Sequence, residues 1–552
     1  MDLSRVAISG RALSTLSFIL SLLAALFYQA CSGNHSPTTI NPPPSSSGHT
    51  DVVTYHYDNA RSGANLSETV LTPANVNATK FGKIGFYSVD GKVDGQPVYL
   101  SQVSISGQGT HNVLYVVSEH ASVYAFDADS GTILWQVSLL GSGETPSDPH
   151  GCDQIAPEIG ITSTPVIDRS RGLHGALYTV AMSKNATGNY FQRIHAIDIT
   201  TGGELFGGPA TVTAAYPGTG DNSTGGSVIF DARQYAERAG LLLLQGTVYT
   251  TWTSHCDQRP YTGWIIGYDA NTLTQTKVLN VTPNGSEGSI WMAGTAPAAD
   301  SNGNIYFLDA NGTFDATLDP NGFPSHHDFG NSFLKLSTSA SLTVADYFTM
   351  SGTVAESNAD EDLGSGGALL LPDLIDNGGQ THQLAVGAGK DRVIYVVDRN
   401  AMGKFNPSAD NIYQEIPGAF TDAVFSMPAY FNNTVYYGAV GNTIRAFPIS
   451  NAKLAATASS KTGNAFPYPG ATPSISANGT SNAIVWAVEN SSAAVLHAYD
   501  ATNLANELYN SNQASGSRDQ FGAGNKFITP MVVNGKVYVG TASGVAVFGL
   551  LP

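Results

Sequence analysis

Val123-Tyr-Ala-Phe-Asp-Ala-Asp-Ser-Gly-Thr-Ile-Leu-Trp135 alternates apolar and polar residues, turns at Asp129-Ser130-Gly131, and resumes as a second apolar run ending in Trp135. Alternation over a few residues, bounded by Asp, Ser and Gly, is the pattern of two half-buried strands joined by a tight turn. The stretch recurs. Degenerate copies stand at Ile194-His-Ala-Ile-Asp198, Ile266-Gly-Tyr-Asp269, Phe333-Leu-Lys-Leu-Ser337, Ile394-Tyr-Val-Val-Asp398, Ile444-Arg-Ala-Phe-Pro448, Leu496-His-Ala-Tyr-Asp500 and Val545-Ala-Val-Phe-Gly549. The spacing between rows runs from 71 residues early in the chain to 49 at its end.

Most rows follow another strand-like run, such as Val113-Leu-Tyr-Val-Val117, Ala176-Leu-Tyr-Thr-Val180 or Lys536-Val-Tyr-Val-Gly540. Several of those follow small residues around a proline, as in Gln96-Pro97-Val98 and Ser163-Thr164-Pro165-Val166. Three or four strands repeated every roughly 50–70 residues predict the blades of a propeller. The expected fold is all-β: an eight-bladed β-propeller of four-stranded antiparallel blades. In the rows that keep it, an Asp before a Gly-containing turn accepts backbone N–H bonds, and an aromatic such as Trp135 is spent on packing. The last repeat, Phe527 to Gly549, reaches only its third strand before the sequence stops at Pro552. A missing outer strand leaves an exposed edge. The strand around Lys83–Ser88 is therefore expected to complete that blade.

Charged residues make up only 12% of the 552, against 59 Gly and 25 Tyr, and no long stretch has helical periodicity. A repeat fold makes one domain of nearly all of this length. The formal net charge of −18 excludes a nucleic-acid groove or an anionic-membrane face, both of which need clustered Lys and Arg. Arg5 and Arg11 precede an apolar run from Leu13 to Phe27, the layout of a signal peptide over residues 1–30. Tyr28-Gln29-Ala30-Cys31 resembles the lipobox of bacterial lipoproteins, with Tyr28 where a Leu is usual. Lipidation of Cys31 is expected, ordinary signal cleavage being the alternative. Residues 31–54 read as a Pro/Ser-rich linker and 55–552 as the propeller. The chain is thus expected to be exported, as a monomer that touches a membrane only through a lipid anchor in the bacterial envelope (outer membrane or periplasm), or else secreted.

With Cys31 lipidated or removed, Cys152 and Cys256 remain, each heading a Cys-Asp-Gln tripeptide. In an oxidising compartment they can pair, and closing a loop of roughly 100 residues contributes about 4.7 kcal/mol on the chain-entropy model. The alternatives are two free thiols, or thiolate ligands that join His150 and His255 in a zinc set. Export and the lack of a short Cys-x-x-Cys spacing favour the disulfide.

The stretch ending in Trp135, with Asp58-Asn-Ala-Arg-Ser-Gly63 and Leu71-Thr-Pro-Ala-Asn-Val76, resembles the repeat of pyrroloquinoline-quinone (PQQ) dehydrogenases and related quinoprotein-like propellers. More narrowly, the chain is similar to a group of uncharacterised bacterial secreted PQQ-like repeat proteins. The resemblance runs over roughly residues 55–552 and weakens where Ser337 and Pro448 replace the repeat Asp. It implies eight blades around a channel, a disulfide of adjacent cysteines over the quinone, a Trp beneath it, and a Glu/Asn/Asp set on calcium with an Asp base. There is no Cys-Cys pair here. Trp291 is either the floor or a packing residue. Asp360 and Asp362 offer oxygen ligands at i and i+2, as weak calcium candidates or as parts of a solvated turn.

Blade geometry gives a second constellation. Loops between second and third strands carry Glu119, His120, Lys184, His255, Asp257, Asp309, Asn311, Lys390, Asp391 and Glu489. Loops leading into the blades add Asp94, Glu158, Trp291 and Asp362 on the same face. Together they predict a polar, titratable funnel. The function expected first is a non-catalytic envelope module that binds or scaffolds another envelope protein, a peptide or a glycan. The alternatives are a PQQ- and Ca²⁺-dependent alcohol or sugar dehydrogenase, and a lyase or hydrolase acting through Glu158 or His255. A resemblance of this kind transfers fold more readily than function.

Overall fold

The computed structural model describes residues 50–552. The signal segment over 1–30, Cys31 and the linker up to residue 49 lie outside the described residues. Asp51 and Val52, which the sequence assigns to the linker, are part of the fold. Val52 exchanges backbone hydrogen bonds with Tyr99 at 2.8 and 2.7 Å, and Asp51 takes the Arg169 guanidinium at 2.6 Å.

Eight sheets of four or five strands follow one another along the chain, antiparallel except where Ala64–Asn65 adds a parallel strand to Ser474–Asn478, with two small accessory sheets, over Ala215–Ile229 and Leu374–His382. The first sheet holds Val98–Ile105, Gly109–Val117, Ser122–Asp127 and Ile133–Ser138, so the opening stretch is its third and fourth strands. Asp127 Oδ1 accepts the N–H groups of Asp129 and Ser130, each at 2.8 Å, and Gly131 takes the left-handed turn position at φ 76°. Asp198, Asp269, Asp398 and Asp500 each accept the N–H two residues on, at 2.8–2.9 Å. The repeat Asp is a turn-former, as its position predicts.

Trp135 does the other half of the work. It lies between the first two sheets, its Nε1 donating to Ile199 O at 3.1 Å and its ring 5.9 Å from that of Tyr115. Gly202 backs it at φ +73°, and a Cβ added there would stand 2.8 Å from Trp135 Cε3. Gly202→Ala is expected to cost about 1–3 kcal/mol through left-handed strain plus overpacking. A denaturation midpoint unchanged from wild type would reject that account.

The eighth sheet is completed from the far end of the chain. Phe81–Ser88 pairs antiparallel with Gly544–Leu550, from Phe81 opposite Leu550 to Ser88 opposite Gly544. The apolar cores lie between consecutive sheets. Val166 and Tyr178 of the second pack with Trp252 and Trp264 of the third, and Leu369 and Val386 of the fifth with Val435 and Phe447 of the sixth. The series also returns on itself, since Met531, Tyr538 and Val545 of the eighth sheet share a core with Tyr99, Leu114 and Phe126 of the first.

One segment ties sheets together without belonging to the repeat. Between Tyr55 and Gly63 the backbone and side chains bond to at least six sheets or the loops leading into them. Asn59 Nδ2 donates to Leu243 O (3.0 Å) and Arg61 Nε to Pro297 O (2.8 Å). Ala60 O accepts from Leu370 N (2.9 Å), Ser62 O from Tyr430 N (2.8 Å) and Gly63 O from Ile475 N (2.7 Å). Tyr55 OH lies 3.1 Å from Thr529 Oγ1. The sequence marks this stretch only as turns. Among the described residues, no helix is long and apolar enough to cross a membrane.

Candidate functional site

Five of the funnel candidates meet. Asp257, Trp291, Asn311, Asp362 and Lys390 border one cavity of about 60 Å³, together with Gln154 and Phe425. Each comes from a loop at a strand end. Asp257 follows Thr247–Ser254, Asn311 follows Asn304–Leu308 and Lys390 follows Leu384–Ala388, while Asp362 opens the 3₁₀ turn Leu363–Ser365. Asp257 Oδ1 accepts from Tyr261 OH at 3.0 Å and from Trp291 Nε1 at a long 3.4 Å. Lys390 Nζ lies 2.7 Å from Asp362 Oδ1 and also pairs with Asp360. Asn311 Nδ2 donates to Asp360 Oδ1 at 2.7 Å, and its own Oδ1 is buried without a partner.

Asp309 lies beneath, wholly buried, with neither carboxyl oxygen hydrogen-bonded. Glycines allow the chain so close. A Cβ on Gly364 would fall 2.5 Å from the Asp309 carbonyl carbon, and one on Gly288 would fall 3.2 Å from Oδ2. Burial, and then the neighbouring Asp362, push Asp309 well above the usual carboxylate range. Burial also raises Asp362 to about 6, although Lys390 pulls the other way. For Lys390 burial works against the charge, and Asp362 and Asp360 outweigh it and hold the ammonium above its ordinary value.

The other candidates go elsewhere. Glu119 is buried against Asp94, and burial followed by that neighbour drives it far up; Asp94 in turn accepts from Asn525 Nδ2 at 2.5 Å. His120 pairs with Glu158 at 2.9 Å, and Lys184 with Asp148 at 2.9 Å. Asp391 turns to Tyr395 OH at 2.6 Å, and Glu489 lies 3.5 Å from His497. Cys152 and Cys256 form a disulfide, which removes the free-thiol and zinc alternatives in this state. His255 stacks on His150 with centroids 4.2 Å apart, and burial lowers it to about 3, so it is a neutral packing ring. The expected lyase or hydrolase roles of Glu158 and His255 thus find no shared site.

Three features of the mouth escape the sequence reading. Phe425, Tyr468 and Phe527 form an aromatic triangle, with centroids 5.6, 6.1 and 6.2 Å apart. Arg238, only 3% exposed, lies with its Cζ 5.6 Å from the Phe527 ring centroid and donates Nη1 to Thr162 O at 3.0 Å, with no carboxylate partner among the described residues. Gln154 enters the cavity as the third residue of the first Cys-Asp-Gln, its one sequence signal. A cavity of about 270 Å³ lined by Tyr216, Phe323 and Phe329 contains none of the funnel candidates.

So many buried acids set the pH response. Burial raises Glu237 to about 8 and also raises Glu356 to about 7, in both cases as the leading cause. With Asp309 and Glu119, these groups hold protons in the fold that the unfolded chain has released. Stability therefore falls as pH rises from the unfolded carboxylate value through the folded ones. His56 and His255, lowered by burial to about 4 and about 3, act oppositely and lose stability as pH falls below their ordinary 6.5. Above 6.5 the buried acids are joined by His111, which its hydrogen bond to Asp127 raises, and whose stabilising contribution is likewise lost as pH rises. Unfolding free energy is expected to decline from pH 6.5 to 9, by up to about 1.4 kcal/mol per pH unit for each group still protonated in the fold, and the melting temperature with it. A flat or rising profile would reject the buried protonated acids.

No family model and no curated protein matches the sequence. Solved structures do match. The quinohemoprotein alcohol dehydrogenase of Comamonas testosteroni superposes with a TM-score of 0.60 at 14% identity, covering 91% of this chain and 80% of that one. A quinohemoprotein alcohol dehydrogenase of Pseudomonas putida HK5 gives 0.58 at 13% identity, with the same two coverages of 91% and 80%. A europium-containing methanol dehydrogenase gives 0.57 at 12% identity, over 91% of this chain and 98% of that one. The fold is a β-propeller of the PQQ-dehydrogenase kind. At these identities the likeness is one of fold. The expected non-catalytic binding or scaffold module is nevertheless corrected by these matches, because all three neighbours are dehydrogenases and the enzymatic alternative is the reading they favour.

Proposed function

We propose that this chain is a PQQ-dependent dehydrogenase that oxidises an alcohol or a sugar at the mouth of an eight-bladed ring, the eighth blade being completed by Phe81–Ser88. Cores shared between consecutive sheets, and between the eighth and the first, support the ring. The observation that carries the function is the single cavity bordered by Asp257, Trp291, Asn311, Asp362 and Lys390, with the orphaned Asp309 carboxyl beneath it.

The donor chemistry fits a hard cation. Asp257, Asp309 and the free Asn311 Oδ1 offer oxygen only, the set that Ca²⁺ and similar ions take. Among the described residues no three His, Cys, Asp or Glu side chains already surround one point; Asp257 and Asn311 border the cavity, while Asp309 is buried next to its Ala310 wall, and the set is not a finished coordination sphere. The quinone carries acidic groups, and Lys390 and Arg238 are the cations that would receive them, with Trp291 as the flat face. Two departures stand against the family pattern. The disulfide joins Cys152 to Cys256 rather than adjacent residues, and about 60 Å³ is well below the roughly 300–1,000 Å³ of ordinary ligand sites. Loading therefore requires the residues that border the cavity to move apart.

When bound, the quinone supplies a two-electron acceptor. The chain's own contribution is acid–base and electrostatic. Asp362, raised to about 6, is ionised at neutral pH yet basic enough to take a substrate hydroxyl proton, and Lys390 holds its orientation. Phe425, one corner of the aromatic triangle, supplies an apolar wall of the cavity.

Adding PQQ with Ca²⁺, or with a lanthanide, to the purified protein should give a quinone absorbance band and alcohol-dependent dye reduction. No heat of PQQ binding in calorimetry, with either metal, would sink the proposal. We also infer export, since a persistent disulfide suits an oxidising compartment. A diacylglyceryl Cys31 at the mature N-terminus by mass spectrometry is the expected result, and cleavage elsewhere would mean ordinary secretion.

A further inference from the structure

Cys256 and Asp257 are consecutive residues in left-handed backbone, at φ 50° and 52°. Neither is glycine, and side chains resist this region. Something must hold them there. On one side Cys256 is bonded to Cys152, 104 residues earlier. On the other, the Asp257 carboxylate accepts from Tyr261 OH at 3.0 Å, Ser254 Oγ at 3.3 Å and Trp291 Nε1 at 3.4 Å. The Cys152 end is itself fixed. That residue is buried, its N–H donates to Pro149 O at 2.8 Å, and Gln154, two residues on, lines the same cavity as Asp257 and Trp291. The crosslink therefore joins a loop of the second sheet to a loop of the third at the cavity wall.

We propose that the Cys152–Cys256 disulfide is the positioning element of the cation site, holding Asp257 against Trp291 so that the oxidised protein binds a hard cation tightly and the reduced protein weakly. This rests on the cation reading given above. Cys256 is partly exposed, while Cys152 is buried, so a reductant approaches the bond from the Cys256 side. A crosslink that served folding alone would change stability and leave affinity untouched. A positioning crosslink changes affinity in a chain that stays folded.

Terbium reports this directly, because a bound Tb³⁺ beside Trp291 emits when the indole is excited, with no quinone and no turnover needed. Reduction, or the pair Cys152→Ala/Cys256→Ala, should weaken Tb³⁺ binding roughly 10–100-fold, the usual cost of losing a group that orients a ligand, with the β circular-dichroism signal retained. Cys152→Ala/Cys256→Asn should regain part of that loss, since Asn tolerates the left-handed region. Tyr261→Phe with the disulfide intact should weaken binding only a few-fold. Equal affinity in the oxidised protein and the Ala pair overturns the inference while leaving the cation site standing. So does a Tyr261→Phe loss as large as that of reduction, which also decides the matter if the Ala pair does not fold. No sensitised emission even from the oxidised protein overturns the cation reading itself.

Discussion

Replacing Arg61 by methionine should lower the stability of the fold by roughly 3–5 kcal/mol, read as a shift in the denaturant midpoint at neutral pH. Arg61 is 0% exposed and, among the described residues, makes no ion pair within 4 Å. It works instead as a hydrogen-bond hub, Nε reaching Pro297 O at 2.8 Å and Nη1 reaching Thr54 Oγ1 at 2.8 Å and Tyr55 O at 2.9 Å. Burial, as the leading cause, lowers it to about 10, which still leaves it charged. Methionine fills much the same space but donates nothing. The carbonyls of Pro297 and Tyr55 would stay buried without a partner, at about 1–3 kcal/mol each. Replacing both partners of a buried pair can be neutral, but here the acceptors are backbone and cannot be removed with the donor. The segment they belong to bonds to at least six sheets or the loops leading into them, so its loosening is not local. A loss under about 1 kcal/mol would show that the segment decorates the fold rather than ties it.

Arg61 also marks where sequence reading runs out. The repeat was legible because its cause is local, an Asp bonding the next two or three N–H groups, as Asp127 does with Asp129 and Ser130. Even the degenerate rows at Ser337 and Pro448 pair as strands, because burial of Phe333, Leu334 and Phe447 decides there in place of the turn. The pairing of Phe81–Ser88 with the last strand followed from counting edges. What lies between Tyr55 and Gly63 has no period, and the sheet partners named for it above are 184 to 474 residues away, so nothing local distinguishes a buried Arg61 from a solvated turn residue. The site divides in the same way. Topology told which face Glu489, Asp391 and His120 occupy, but not their distance from the cavity, and each found a partner of its own in His497, Tyr395 or Glu158. Phe425 had no signal beyond lying beside Ser426-Met427-Pro428. The twin Cys-Asp-Gln did announce the disulfide, and the middle and last residues of the two tripeptides, Asp257 and Gln154, prove to wall the cavity.

Asp309→Asn should move two quantities in opposite directions. Metal-free, the variant should be more stable than wild type by about 2 kcal/mol at pH 8, and by more as pH rises. Wild type must either keep a proton on Asp309 against the solution or carry an unpaired buried charge, whereas the amide is neutral and of nearly equal volume. The carboxyl is wholly buried, lacks any hydrogen-bond partner and is pushed well above its ordinary range by burial and Asp362, so its stability cost is built in. The same substitution should weaken Ca²⁺ or lanthanide binding by two orders of magnitude or more and reduce quinone-loaded turnover by about 10²–10³, as loss of a charge-stabilising group does elsewhere. A residue that lowers stability when the site is empty and binds when it is filled is the signature of a site kept for function. If Asp309 were only a packing residue, the amide would leave cation affinity unchanged, and calorimetric titration of the two proteins at one pH decides between the cases. Asp362→Asn separates the roles further. It should leave cation binding within a few-fold of wild type while abolishing the pH dependence of turnover near 6, where Asp362 titrates.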